Sequence, residues 1–264
     1  MAAIDIHTHA FPNSLAKRAL RTLAERGNVA PRGNGTVKGL LKSMDAADID
    51  VSVLCAIATK PSQAEGILKW CQKIRSDRIE PLASVHPADP EAPRWMARIA
   101  HAGLVGIKLH PMYQEFAADE ERLDPIWNEA VDQGLLVECH AGLDIAFPPT
   151  DGRAAPDRFA RVLDRHPGLR LLCTHMGGWR SWEAVEKHLV GRDVYLETSF
   201  SLDELGPQRA ADLIRRHGVD KVCFGSDWPW KDQGEALAIV KGIGLTDQET
   251  RAVLYSNAAA ILGH

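Results

Sequence analysis

Short apolar runs rich in β-branched residues recur along the 264-residue chain at fairly even intervals, each followed by a longer stretch with helical periodicity. Eight such runs predict strands over residues 3–7, 51–57, 79–85, 105–109, 135–140, 170–174, 194–197 and 221–225. Helices are predicted over 62–74, 92–102, 119–133, 157–166, 181–189, 205–217, 234–242 and 246–262. Gly103, Gly134, Gly168 and Gly218 follow four of them, as expected where a helix stops in a left-handed turn. Thr246-Asp247-Gln248-Glu249 opens the last one as a capping box. Residues 26–36, rich in Gly, Asn and Pro, predict a surface loop. Strand–helix alternation means parallel strands. An open doubly wound sheet shares this grammar, but eight units without a second composition regime favour a single-domain (β/α)8 TIM barrel over residues 1–264.

The histidines give the pattern a chemical meaning. His7, His9, His110, His140 and His175 fall at or just past the C-terminal ends of predicted strands, and Asp227 follows the eighth. In a barrel those ends converge on one face, so ligands distant in sequence can meet around one ion. In His7-Thr8-His9 the two imidazoles lie two residues apart, and an extended chain turns both to one face, with Asp5 of the same parity. His140 and His175 each close an apolar run and are followed by small residues, Ala141-Gly142 and Gly177-Gly178, which leave room for a substrate. A carboxylate delivered by an apolar strand, as Asp227 is, needs a cation or donors beside it. Imidazoles with one carboxylate suit a single Zn2+ and are acceptable to Mn2+, Fe2+, Co2+ or Ni2+.

Other residues near these ends are candidates for holding substrate. Lys108 shares a strand face with His110, and both can point inward. Lys108 would bind a substrate carboxylate, or pair with Glu138 or Glu197. Its carbamylation to bridge a second metal would need ligands that are not evident. Trp228 offers an aromatic wall, and Arg153, in a long segment over 142–155 that could form a lid, offers a charge for an anionic substrate.

Composition narrows the class. With 31 Lys and Arg against 35 Asp and Glu, the net charge of −4 gives no attraction for phosphate backbones, so no nucleic-acid partner is expected. No run approaches the length of a membrane span and no signal peptide is evident, which predicts a cytoplasmic protein acting on a small molecule, and leaves a homo-oligomer open. Five cysteines without C-x-x-C spacing read as reduced core residues. Neither a G-x-S-x-G elbow nor a G-x-G-x-x-G cradle is present.

Taken in order, Ile4-Asp5-Ile6-His7-Thr8-His9, Gly106-Ile107-Lys108-Leu109-His110-Pro111, His140-Ala141-Gly142, Thr174-His175-Met176-Gly177-Gly178 and Gly225-Ser226-Asp227-Trp228-Pro229 resemble the amidohydrolase superfamily. The likeness is to its amidohydrolase-2 branch of metal-dependent barrel hydrolases, and it runs from the first strand to the last helix. The resemblance implies that His7, His9 and His140 bind the metal, that Asp227 binds it or the activated water, and that His175 assists catalysis. It implies metal-dependent hydrolysis of an amide, ester or lactone of a small substrate. The alternative is nonoxidative decarboxylation, because the branch also contains enzymes related to aminocarboxymuconate semialdehyde decarboxylase. The shortness of this chain tilts the expectation toward a hydrolase. An inactive barrel acting as a binding protein is a third reading, disfavoured by the intact ligand set.

Overall fold

The structure is a computed structural model, and residues 2–263 are described. Eight short strands run in chain order: β1 (Ile4–Thr8), β2 (Val51–Cys55), β3 (Ile79–Leu82), β4 (Gly106–Leu109), β5 (Leu136–Cys139), β6 (Arg170–Cys173), β7 (Tyr195–Glu197) and β8 (Val222–Cys223). All pair in parallel, in two ladders, β1-β2-β3 and β4-β5-β6-β7-β8. Isolated contacts close the two seams between them. At one, Ala83 bridges Ile107 and the Lys108 N–H donates to the Ala83 carbonyl at 2.8 Å. At the other, Thr8 bridges Trp228 and the Ile6 N–H donates to Phe224 O at 2.9 Å. The expected (β/α)8 barrel is what forms.

Two helices not anticipated from the sequence, α1 (Asn13–Gly27) and α2 (Val37–Ala47), fill the connection from β1 to β2. The remaining helices are α3 (Ala64–Ile74), α4 (Ala92–His101), α5 (Asp124–Asp132), α6 (Pro156–Arg165), α7 (Trp182–His188), the short α8 (Leu202–Leu205), α9 (Pro207–His217), α10 (Gln233–Gly242), α11 (Asp247–Arg251) and α12 (Asn257–Leu262). The predicted box caps α11, where the Thr246 hydroxyl accepts from Glu249 N and the Glu249 carboxylate from Thr246 N.

The core has two compartments. One lies between the strands and the surrounding helices, and the other fills the barrel with Ile4, Ile6, Val53, Cys55, Leu82, Leu136, Leu172 and Cys223, closed by Ala258, Ile261 and Leu262 of α12. That plug seals the N-terminal end and leaves the C-terminal mouth for chemistry. All five cysteines are free and buried.

In β1, Asp5 pairs with Ser52 but Thr8 pairs with Leu54, so three steps on β1 match two on β2. This bulge breaks the simple alternation. His7 turns into the barrel mouth, whereas Asp5 stays outside, where its carboxylate accepts from Ser226 and from Gln233 of α10. The shared parity expected for Asp5 and His7 is therefore not found. Burial pushes the Asp5 carboxyl up to about 7, against the opposing hydrogen bonds from Gln233 and Ser226.

Candidate active site

His7 and His9, the second of them just beyond β1, meet Asp227, from the loop after β8, at the mouth of the barrel. His7 Nε2 lies 3.1 Å from His9 Nε2, and Asp227 Oδ1 lies 3.6 Å and 3.3 Å from the same two atoms. The tautomers follow from the partners on the other side of each ring. His7 Nδ1 faces the Glu197 carboxylate at 3.1 Å and His9 Nδ1 faces the Cys55 carbonyl at 2.9 Å; both partners only accept, so each Nδ1 carries the proton. In that tautomer each Nε2 presents a lone pair, that of His7 also accepting from the Lys108 ammonium at 3.2 Å. Burial, followed by the field of Lys108, holds His7 well below its usual pKa and keeps it neutral.

Asp227 Oδ1 completes the triangle as a buried oxygen without a hydrogen bond of good geometry. Two lone pairs and a carboxylate oxygen turned toward one point make an unfavourable arrangement without a cation among them. Donors about 2.0–2.1 Å from a tetrahedral ion stand roughly 3.3 Å apart, close to the spacings found. The triangle therefore fits a divalent metal ion.

Glu197, at the end of β7, organises the surroundings. Its Oε1 accepts from His7 Nδ1, from the His175 backbone N–H at 2.7 Å and from the Ser199 hydroxyl at 2.8 Å, while Oε2 accepts from Ser199 N at 2.7 Å. Fully buried, this carboxylate holds His7 in position and ties it to His175. His175 contacts Ser199 Oγ at 2.8 Å through Nδ1 and His140 Nδ1 at 3.1 Å through Nε2. The strand-end signal that singled out the histidines was equally present at Glu197, whose run Val194-Tyr195-Leu196 also ends on a polar group.

His140 is separated from the triangle by His175. It stacks on His110 with ring centroids 4.2 Å apart, and its Nε2 faces the Leu143 carbonyl at 3.1 Å. Asp144 joins this second group, with Oδ2 3.3 Å from His110 Nε2. It sits in an irregular loop, where no periodicity could mark it. Lys108 gives its Nζ to Glu138 at 2.8 Å and lies 3.2 Å from His7 Nε2. Burial would lower the Lys108 pKa, but Glu138 overrides it and keeps the ammonium charged.

These groups form the floor of a cavity of about 900 Å³, whose walls include Phe11, Leu23, Ile57, Trp70, Trp179 and Trp230. His7, His9, Lys108, His110, His140, His175 and Asp227 all reach it. Trp228 and Arg153 do not. Beyond Asp227, held at φ 61°, the chain turns Trp228 away into the core, 1% exposed, where its ring packs so closely on Gly33 that a Cβ there would lie 2.3 Å from it. Arg153 is neutralised locally by Asp151, with Nε at 2.9 Å, and lies over the Phe147 ring.

Comparison with known proteins sets this geometry in context. A family model for amidohydrolases matches residues 4–264. A gamma-resorcylate decarboxylase from Rhodococcus jostii (strain RHA1) is 24% identical over 282 residues, spanning 84% of this chain and 85% of that protein. The 5-carboxyvanillate decarboxylase of Novosphingobium aromaticivorans, crystallised with manganese and 3-methoxy-4-hydroxy-5-nitrobenzoic acid, superposes with a TM-score of 0.71 at 18% identity, covering 100% of this chain and 97% of that one. A proposed 2-pyrone-4,6-dicarboxylic acid hydrolase from Pseudomonas putida gives 0.70 at 21% identity, covering 99% and 97%. At such identities the structural likeness is one of fold. Decarboxylase and hydrolase are covered to the same extent, so chain length does not favour the hydrolase, and the decarboxylase alternative has at least equal support.

Proposed function

The chain belongs to the amidohydrolase family, and we propose that within it this protein is a metal-dependent lyase that removes a carboxylate, as carbon dioxide, from a small aromatic acid. The observation that carries the reading is the placement of a donor triangle, His7, His9 and Asp227, on the floor of a chamber with apolar, aromatic walls. These three residues would hold the ion, and His140 stands by as a further donor behind His175. A divalent cation bound there supplies Lewis-acid attraction for the oxygens of the substrate.

The side chains supply the rest. Lys108, kept charged beside Glu138, adds positive potential that draws the substrate carboxylate to the floor. With the substrate ring packed against the apolar walls, its carboxylate on the floor would be poorly solvated, which favours breaking the C–C bond to release neutral carbon dioxide and leave the bond's electron pair on the ring carbon. The carbon that loses carbon dioxide must gain a proton. His175 is the group to hold and deliver it, because its ring faces the floor between Ser199 and His140.

The test is product analysis. Protein loaded with Mn2+ or Zn2+ and given a panel of hydroxybenzoates should release carbon dioxide equimolar with the acid consumed, and Asp227→Ala should abolish the release. A second reading, water addition to a carboxylated lactone on the same floor, is favoured by the equal fold match to the Pseudomonas putida protein. Ring opening of a pyrone carboxylate without carbon dioxide would replace the lyase reading with that one.

A further inference from the structure

The cavity wall contributed by α1 carries charges that the floor chemistry does not use. Leu15, Arg18, Ala19, Thr22, Leu23 and Arg26 all line the cavity, at spacings of three and four that place them on one face of the helix. Ala16 and Leu20, on the flank of this stripe, are buried in the protein. Leu15, Arg18, Thr22 and Arg26 are exposed to solvent, so the stripe forms the open rim of the cavity, and it sets two arginines there.

Neither Arg18 nor Arg26 forms an ion pair among the described residues, whereas Arg21, off the stripe, pairs with Glu25 and Arg153 pairs with Asp151. The acidic residues of the cavity lining are Asp144 and Asp227, and both are engaged with histidines at the floor. The positive field of Arg26 nonetheless reaches Tyr113, whose ring packs edge-on against His110. Two guanidinium groups without an ion pair among the described residues thus line the same cavity as the floor. A chamber of about 900 Å³ is far larger than one benzoate ring, so a single-ring monoacid on the floor would leave α1 untouched.

We propose that the substrate is an elongated aromatic acid with a second anionic group at its far end, and that Arg18 and Arg26 select it by gripping that group. The proposal rests on the reading above for the carboxylate bound at the floor. Guanidinium groups form paired hydrogen bonds with carboxylates, which gives them orientation as well as charge. Shared between the two guanidiniums, the second anion should tighten binding by about tenfold, equivalent to about 1.4 kcal/mol.

Calorimetric binding to the Mn2+-loaded protein tests this without turnover. The probes are biphenyl dicarboxylate and biphenyl monocarboxylate, alike in ring system and length. The dicarboxylate should bind about tenfold more tightly in the unaltered protein. The double variant Arg18→Gln/Arg26→Gln, both changes lying on an exposed helix surface, should lose that advantage while keeping monocarboxylate affinity within about twofold. Equal affinity for the two probes in the unaltered protein, or an advantage that survives in the double variant, overturns the proposal. Because no reaction is needed, a failed carbon dioxide assay would leave this result standing, and the reverse also holds.

Discussion

Glu197 sets the geometry of the metal-binding triangle without belonging to it. Three donors converge on its Oε1 and a fourth on Oε2, so exchanging one oxygen for an NH2 group turns a donor against donors and frees His7 to rotate. Glu197→Gln should weaken metal affinity by about 10- to 100-fold, as is usual when the group behind a ligating histidine is changed, with circular dichroism unchanged. Titration against a competing chelator measures it, and unaltered affinity would show that His7 is held by other contacts. Residues of this kind were partly legible in the sequence. His7, His9, His175 and Asp227 announced themselves as polar groups ending apolar strands, and the structure gathers them on one floor. Trp228, expected as an aromatic wall from its place just past the eighth strand, lies in the core instead, because strand position fixes where a residue starts but not which way the turn at positive φ of Asp227 sends it. Arg18 and Arg26 were invisible because the helix that presents them was not anticipated.

At the scale of elements, the site depends on close backbone contact between neighbouring loops. The Gly142 N–H donates to Ala154 O, and a Cβ at Gly142 would lie 2.1 Å from the Trp179 backbone nitrogen, at φ +87°. No side-chain rotation relieves a clash with main chain, and an L residue resists that φ besides. Gly142→Ala should cost about 2 kcal/mol or more in denaturant unfolding and displace His140 two residues earlier. A loss below about 0.5 kcal/mol would mean that the two loops part readily. The eight strands and most helices from α3 onward were legible because periods of 2 and 3.6 report which face is buried, but the short α8 was not foreseen and the single helix expected over 246–262 is divided into α11 and α12. The bulge in β1 was not, since an extra residue leaves composition and periodicity nearly unchanged over so short a strand. Helices α1 and α2 were missed for another reason: α1 is covered only along a narrow edge by Ala16 and Leu20 and spends its other face on the cavity, which dilutes the apolar signal.

For the whole molecule, the described residues include no helix long and apolar enough to cross a membrane. Metal removal then becomes a global test. Dialysis against a chelator should abolish turnover, and readdition of Mn2+ or Zn2+ should restore it. The ion should also stabilise the fold by about 2.7 kcal/mol at a free concentration one hundred times its dissociation constant. Equal melting temperatures with and without metal at that concentration would contradict the assignment of the triangle.

The triangle straddles the seam where β8 returns to β1, which is closed by a few main-chain contacts rather than a regular ladder. An ion shared by His7, His9 and Asp227 would therefore act as a cross-link between two segments some 220 residues apart, fastening the hoop at one of its two irregular seams. Amide hydrogens of residues 6–9 and 224–228 should then exchange with deuterium fastest when the ion is stripped, while those of β4 to β6 stay protected.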